Sequence, residues 1–332
     1  MKCVKDIGER ELIRRIWNQI RAELRFTAIP NTFDDAVAFE SRYKYIVMTN
    51  DGINEKTDKL PGMSWHDFGW RLGVMCVSDL IAKGAIPLGM LISLNIPKSL
   101  EIKAVEMIYE GLIDSAKEYC FELWGGDMGE ASEVTIDGFM VGYSTKKPIF
   151  RKGMKLGDYV LTTGKYGLTG AAFHYLLKGG IAVSENTMHN IIQAAYKPRV
   201  KLRMGVLLAN TEGITASIDS SDGLAESLYQ LAEINGLGIL IHNIPIADEA
   251  LEYANTNNLD VKELALYGGE EYEVVFSVRP EAIDEVLENM KKNNIEVHII
   301  GKVIERKGVF IQKANKTIPI ERRGWEHYSK DF

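Results

Sequence analysis

The chain has too few cysteines for a disulfide framework. Its 332 residues include three, Cys3, Cys76 and Cys120, odd in number, far apart and without a Cys-x-x-Cys pair. That excludes a disulfide-stapled secreted domain and a cysteine metal site, and it points to a reducing, cytoplasmic setting. No stretch approaches the ~18 apolar residues of a membrane span, and the N-terminus has no apolar core of signal-peptide length. Positive charge is not in excess either: the formal net charge is −7, which argues against general affinity for nucleic acid or anionic lipid. A phosphate ligand would need something other than net charge to attract it.

Several familiar catalytic devices are also missing. There is no Gly-x4-Gly-Lys-Ser/Thr phosphate loop, and no Gly-x-Gly-x-x-Gly follows the first strand of either half. The protein-kinase His-Arg-Asp and Asp-Phe-Gly pair is absent, as is a Gly-x-Ser-x-Gly nucleophile elbow. The six histidines show no His-Glu-x-x-His or other paired spacing and read as packing or surface residues.

What is present is the composition of an ordinary globular protein, 46% hydrophobic and 26% charged. The length favours two domains of roughly 100–200 residues each. Lys146-Lys147-Pro148 is the best boundary, dividing the chain into 1–148 and 149–332. In the first part, helical spacing predicts helices over about 9–24, 65–83 and 101–119, and apolar runs predict strands at 36–39, 45–48, 88–94, 121–124 and 134–143. The second part opens with a strand at 157–162 running into a glycine turn. Helices near 168–178, 187–195, 199–210 and 281–292 and strands near 214–218, 238–242, 271–278, 296–304 and 308–311 follow. Each half mixes strands with helices, so an α/β protein of two α+β domains is expected.

Six aspartates share one local grammar, in which an apolar segment delivers a carboxylate to a polar or glycine-rich turn. They are Asp35, Asp51, Asp79, Asp127, Asp219 and Asp222. Taken singly, Asn50-Asp51-Gly52 or Gly125-Gly126-Asp127 is an ordinary turn. Asp79 is more telling, because it lies in the apolar stretch 72–82, where an ionised carboxylate is costly without a cation or several donors. Clustered aspartates with hydroxyls and carbonyls are the oxygen ligands Mg²⁺ prefers, and the metal can carry phosphates that an acidic protein cannot. Gly164, Gly167 and Gly170, between a strand and a helix, read either as N–H donors to an anion or as a plain turn.

These motifs resemble the aminoimidazole ribonucleotide synthetase-like ATP-binding superfamily, most closely its thiamine-monophosphate kinase branch. The likeness is carried by Val77–Pro87, Gly125-Gly126-Asp127, Ile218–Leu224 and Gly268–Val274, and it extends to Gly324–Tyr328. The resemblance implies an N-terminal α+β domain that pairs across a homodimer into a β-barrel and a C-terminal α/β domain. It implies Mg²⁺ ligands at Asp35, Thr49, Asn50, Asp51, Asp79, Asp127, Asp219 and Asp222, ATP contacts at Tyr109, Gly126, Asp127, Arg151 and Ser221, and substrate contacts at Glu271 and Trp325. Asp127, Asp222 and Arg151 are the residues it assigns to catalysis. The implied reaction is Mg²⁺-dependent transfer from ATP to thiamine monophosphate, giving thiamine diphosphate and ADP.

Two departures from the family pattern stand out. Thr49-Asn50-Asp51 replaces the usual Ser-Thr-Asp, and Gly52–Lys59 replaces a Val-Glu-Gly-x-His-Phe segment and looks more like the synthetase branch. The alternatives are therefore a synthetase of the same superfamily, which activates an amide oxygen by phosphorylation, or a catalytically idle nucleotide-binding regulator.

Overall fold

The computed structural model describes residues 3, 6, 9–24, 44–314 and 316–324. Asp35, Trp325 and the strand expected at 36–39 lie outside them. The chain divides into two compact units, Met1–Ile81 with Ala85–Lys147, and Ala82–Gly84 with Pro148–Phe332.

The first unit contains α1 (Glu9–Glu23), β1 (Tyr45–Asn54), α2 (Glu55–Asp58), α3 (Trp65–Ala82), β2 (Ile86–Ile96), α4 (Ile102–Tyr119), β3 (Glu122–Glu130) and β4 (Thr135–Ser144). The strands form one four-stranded open sheet in the order β1-β4-β2-β3, antiparallel except for β2–β3. Alternation sends Met90, Ile92, Leu94, Ile136 and Met140 into the core. Helix α3 packs on that face: a Cβ added to Gly138 of β4 would lie 3.2 Å from Cys76 Sγ and 3.4 Å from Leu72. Helices α3 and α4 approach through glycines, since a Cβ on Gly69 would fall 2.0 Å from the Ile108 carbonyl oxygen and one on Gly111 would fall 1.9 Å from that of His66.

The opposite face of this sheet is also apolar. Trp124 and Val141 are buried there with Ile46, Leu88 and Leu91 against them, while Met48 is 60% and Phe139 38% exposed.

The second unit contains β5 (Tyr159–Thr162), α5 (Leu168–Lys178), α6 (Glu185–Tyr196), α7 (Leu202–Asn210), β6 (Ile214–Asp219), α8 (Leu224–Asn235), β7 (Gly238–Ile241), α9 (Asp248–Thr256), α10 (Val261–Tyr267), β8 (Val274–Val278), α11 (Ile283–Lys292), β9 (His298–Ile304), β10 (Gly308–Lys313) and β11 (Lys316–Pro319). Its seven strands run β11-β10-β7-β9-β5-β8-β6 in a mixed sheet. Leu224, Leu228 and Leu231 of α8 are buried in one cluster with Ile218, Ile239, Val275 and Ile300 from the sheet. This single cluster fixes the ends of β6 and β8, where the expected site residues sit.

Two expectations are corrected. Asn50-Asp51-Gly52 and Gly125-Gly126-Asp127 are not turns, because β1 continues to Asn54 and β3 to Glu130. Residues 271–273 precede the strand instead of belonging to it. The described strands of the first unit form an open sheet within the single chain, with β1 and β3 at its edges.

Candidate functional site

In the first unit, extending β1 through residues 49–54 decides which side chains face α3. Thr49 stands opposite Met140, a core residue, so Thr49 and Asp51 share the helix-facing side while Asn50 turns to the other. Thr49 Oγ1 donates to Asp79 Oδ2 of α3 at 2.5 Å. The buried Cys76 thiol lies one turn before Asp79 and donates to the Gly138 carbonyl. Burial pushes this thiol well above its ordinary pKa, and the charges of Asp51 and Asp79 push it further. Thr49, Asp51 and Asp79 therefore form one group of hard oxygens, and the expected side-chain contribution of Asn50 to that group is not borne by its direction.

Asp127 belongs to a different neighbourhood. The ladders set it beside Ser93, and Ser93 beside Asp137 of β4. Gly126 is required just before it, since a Cβ there would fall 1.7 Å from the Ile92 carbonyl oxygen. Tyr109 lies inside the unit on α4, and burial pushes its hydroxyl up to about 12. Among the described residues no group of three or more His, Cys, Asp and Glu side chains is arranged to hold a metal by itself. The donor chemistry of Thr49, Asp51 and Asp79 nonetheless fits Mg²⁺, which takes carboxylate and hydroxyl oxygens and leaves thiols aside.

The segment that departs from the family pattern, Asn54–Lys59, is a built structure. Asn54 Oδ1 accepts from Lys56 N at 2.8 Å and Asp58 Oδ2 accepts from Asn54 N at 2.7 Å, which caps the single turn α2. The Asp58 carbonyl accepts from the buried Arg71, and Lys59 Nζ stands 4.9 Å from the centre of the Trp65 ring.

In the second unit two loops interlock. Strand β6 ends at the buried Asp219, and Ser220, Ser221, Asp222 and Gly223 lead into α8, with Gly223 at φ 102. Against this loop lies Gly268–Glu273. Glu270 N donates to the Ser221 carbonyl at 2.6 Å, Tyr272 N to that of Ser220 at 3.1 Å, and Ser220 N to that of Glu273 at 2.8 Å. Glu270 and Tyr272 both adopt positive φ to make this pairing, 56° and 51°. Asp219, Ser221, Asp222 and Glu271 are thus brought together by backbone bonds. Arg151 is exposed, its Nη1 donating to Gln230 at 2.8 Å and its carbonyl accepting from Asn235.

Glu271 carries the most unusual electrostatics. Its Oε1 accepts from Gly167 N at the head of α5, while Oε2 is buried without a hydrogen-bond partner. Burial drives its pKa well above 4.5 and the Glu273 charge adds to the rise, opposed by the Gly167 N–H and the Thr169 hydroxyl. This answers the question of the three glycines. The N–H of Gly167 meets the protein's own Glu271 carboxyl group. Gly164 is fixed by its neighbour, since a Cβ there would fall 2.2 Å from Glu273 Oε1.

The same region holds a group that spacing did not reveal. Lys201 Nζ lies 2.6 Å from both oxygens of Glu273, and Thr163 Oγ1 donates to Glu273 Oε2 at 2.5 Å while accepting from Val274 N. Glu273 lies inside the Gly268–Val274 motif, but Lys201 is 72 residues away and no local pattern links them.

Residues 33–144 match the family of AIR synthase related proteins, N-terminal domain, and residues 155–313 match its C-terminal domain. The thiamine-monophosphate kinase of Nitrosopumilus maritimus is 32% identical over 89% of this chain and 93% of its own length. The chain belongs to the thiamine-monophosphate kinase family. The corresponding protein of Pyrococcus horikoshii is likewise 32% identical, covering 89% of this chain and 90% of its own. A solved structure, AaThiL complexed with AMPPCP and TMP, matches with a TM-score of 0.77 and 28% identity over 99% of both chains. No described helix is long and apolar enough to cross a membrane.

Proposed function

We propose that the protein transfers the γ-phosphoryl group of ATP to thiamine monophosphate. An oxygen of the acceptor phosphate attacks the γ-phosphorus in line, a new P–O bond forms, the bond to the bridging β–γ oxygen breaks, and ADP leaves with the electron pair. The attacking oxygen is already ionised at neutral pH, so no general base is needed. The obstacle is repulsion between two polyanions, and catalysis reduces to alignment and neutralisation.

The observation that carries this reading is Glu271, a carboxylate buried with one oxygen unsatisfied, in a chain whose relatives are thiamine-monophosphate kinases. Such a group is relieved by a cation, and the thiazolium of thiamine monophosphate is one. The resemblance to the family assigns Trp325 an aromatic contact with the same ring, worth about 0.5–2 kcal/mol. Arg151, oriented by Gln230, supplies a fixed positive charge for ATP, and Ser221 and Gly126 supply small polar contacts. Mg²⁺, held by Thr49, Asp51 and Asp79, by Asp127, by Asp219 and Asp222 and by Asp35, would neutralise the phosphate oxygens. The backbone pairing between Ser221 and Glu270 keeps Asp222 and Glu271 at a fixed separation while this happens.

We also infer a homodimer in a cytoplasmic setting. The apolar outer face around Met48, Phe139 and Trp124 and the edge strand β1 suit burial against a second copy, and all three cysteines are free thiols. Chromatographic analysis of protein, ATP and Mg²⁺ with thiamine monophosphate, thiamine or pyridoxal phosphate tests the acceptor assignment. Thiamine diphosphate formed from the monophosphate alone is expected, and turnover with a different acceptor would replace the reading.

A further inference from the structure

Strand β6 is the last strand of the seven-stranded sheet, and residues 150–153 run along its outer side. Ser217 N donates to the Phe150 carbonyl at 3.1 Å, two residues before β6 ends at Asp219. The next contact lies further back along the strand, where a Cβ on Gly153 would fall 2.1 Å from the Thr215 carbonyl oxygen. Arg151 follows directly on Phe150, next to the end of β6 that carries Asp219.

Helix α8 holds this stretch at three points. Asn235, its last residue, donates from Nδ2 to the Arg151 carbonyl and accepts at Oδ1 from Gly153 N, both at 2.8 Å. The same Nδ2 donates to the Leu231 carbonyl at 2.8 Å, which fixes the amide against its own helix. The third point is the guanidinium, whose Nη1 donates to Gln230 Oε1 at 2.8 Å. One turn earlier, Ser227 Oγ donates to the carbonyls of Asp219 and Gly223, at 3.2 and 3.1 Å. Side chains three apart on a helix are neighbours, so the helix that ties down the Asp219–Gly223 loop also ties down Arg151 beside it.

The partner chosen for the guanidinium is a neutral amide. Elsewhere in this unit arginines meet carboxylates: Arg322 meets Glu226 and Glu233, Arg323 meets Glu263, and Arg279 meets Glu281. Arg151 makes no ion pair among the described residues, although the chain carries a net charge of −7. We propose that Asn235 and Gln230 are positioning residues for the nucleotide: Asn235 clamps the backbone at Arg151 and Gly153, and Gln230 aims the Arg151 guanidinium while leaving its charge for the phosphates of ATP. This rests on the functional reading above, in which Arg151 faces ATP. A carboxylate at position 230 would hold the guanidinium in a stronger, charge-assisted bond but would cancel its charge. A polyanion gains most from a cation that is already oriented and uncompensated. Without the clamp, the aimed orientation is occupied for a smaller fraction of the time, and apparent nucleotide affinity falls by that fraction.

The test uses titration calorimetry with Mg²⁺ and a non-hydrolysable ATP analogue, KM for ATP and for thiamine monophosphate, and melting temperature. The variants are Gln230→Leu, Gln230→Glu, Asn235→Ala and Arg151→Met, together with Asn235→Ala in the Arg151→Met background. Gln230→Leu and Asn235→Ala are expected to weaken analogue binding about three- to tenfold, with KM for thiamine monophosphate within about twofold. Gln230→Glu keeps the shape of glutamine. It should weaken analogue binding about tenfold while melting within about 2 °C of wild type, and the difference should narrow at high salt as the added charge is screened. In the Arg151→Met background, Asn235→Ala should add less than about twofold, because its effect passes through the missing guanidinium. If Asn235→Ala fails to fold, the two Gln230 variants decide. The proposal is overturned if Gln230→Glu binds the analogue as tightly as wild type, if Asn235→Ala costs the same with and without Arg151, or if the KM for thiamine monophosphate rises in step with that for ATP. Absence of thiamine diphosphate with the wild type overturns the functional reading instead, and the calorimetric titrations still report whether Gln230 and Asn235 act on the nucleotide.

Discussion

Replacing Glu271 by glutamine removes a titrating group from a buried site without changing its shape, so stability and pH dependence should change together. In the native protein, burial and the neighbouring Glu273 hold the Glu271 carboxyl well above 4.5, its ordinary value. A native proton is then retained at pH values where the unfolded chain has released it. Stability consequently falls as pH rises from about 4.5 through the native pKa, and levels off above it. Each pKa unit of that elevation amounts to about 1.4 kcal/mol, or about 3–5 °C in melting temperature for a unit of this size. Glutamine carries no titrating proton and lacks the slope. Melting curves of wild type and Glu271→Gln from pH 4 to 8, by differential scanning calorimetry without ligands, should therefore diverge, the variant gaining on the wild type as pH rises. Whatever constant offset the unsatisfied amide introduces cancels in that comparison. Parallel profiles across the range would show that Glu271 ionises like a surface carboxylate, and the account of a cation-seeking buried group would fail.

Three further outcomes are expected. Asp127→Asn or Asp222→Asn should lower turnover at least about 10²-fold with the fold intact by circular dichroism, because each removes a charge from the oxygen donors; wild-type rates at saturating Mg²⁺ would return both to purely structural roles. Gly126→Ala should cost about 1–3 kcal/mol or more in the first unit by denaturant titration, since its Cβ would overlap the Ile92 carbonyl oxygen, and a neutral result would contradict the β2–β3 register. Light scattering across the micromolar range should give twice 37.2 kDa, and Met48→Glu, on the apolar outer face, should shift the protein toward the single-chain mass.

Much of this was legible in the sequence where apolar spacing and chemistry agree. Helices α3 and α4 and Asp79 within α3 follow from periodicity and from the cost of a carboxylate in apolar surroundings. Residues 49–54 and 125–130 were harder, because Asn-Asp-Gly and Gly-Gly-Asp favour turns locally while ladders with β4 and β2 extend them as strands. That override changes the chemistry, since it turns Asn50 away from Thr49 and Asp51. Helix α8 is missing from the expected elements although Leu224, Leu228 and Leu231 recur at helical spacing, and α2 exists through the caps of Asn54 and Asp58. The Lys201–Glu273 pair and the Arg322–Glu226 fork join residues 72 and 96 positions apart, and only the folded chain brings them together.

The central claim is tested most directly by ³¹P NMR of the protein with ATP, Mg²⁺ and thiamine monophosphate. The account predicts that the acceptor's monophosphate resonance is replaced by the paired resonances of thiamine diphosphate as ATP becomes ADP, with no inorganic phosphate accumulating. ATP consumed to inorganic phosphate while the monophosphate resonance persists would contradict it.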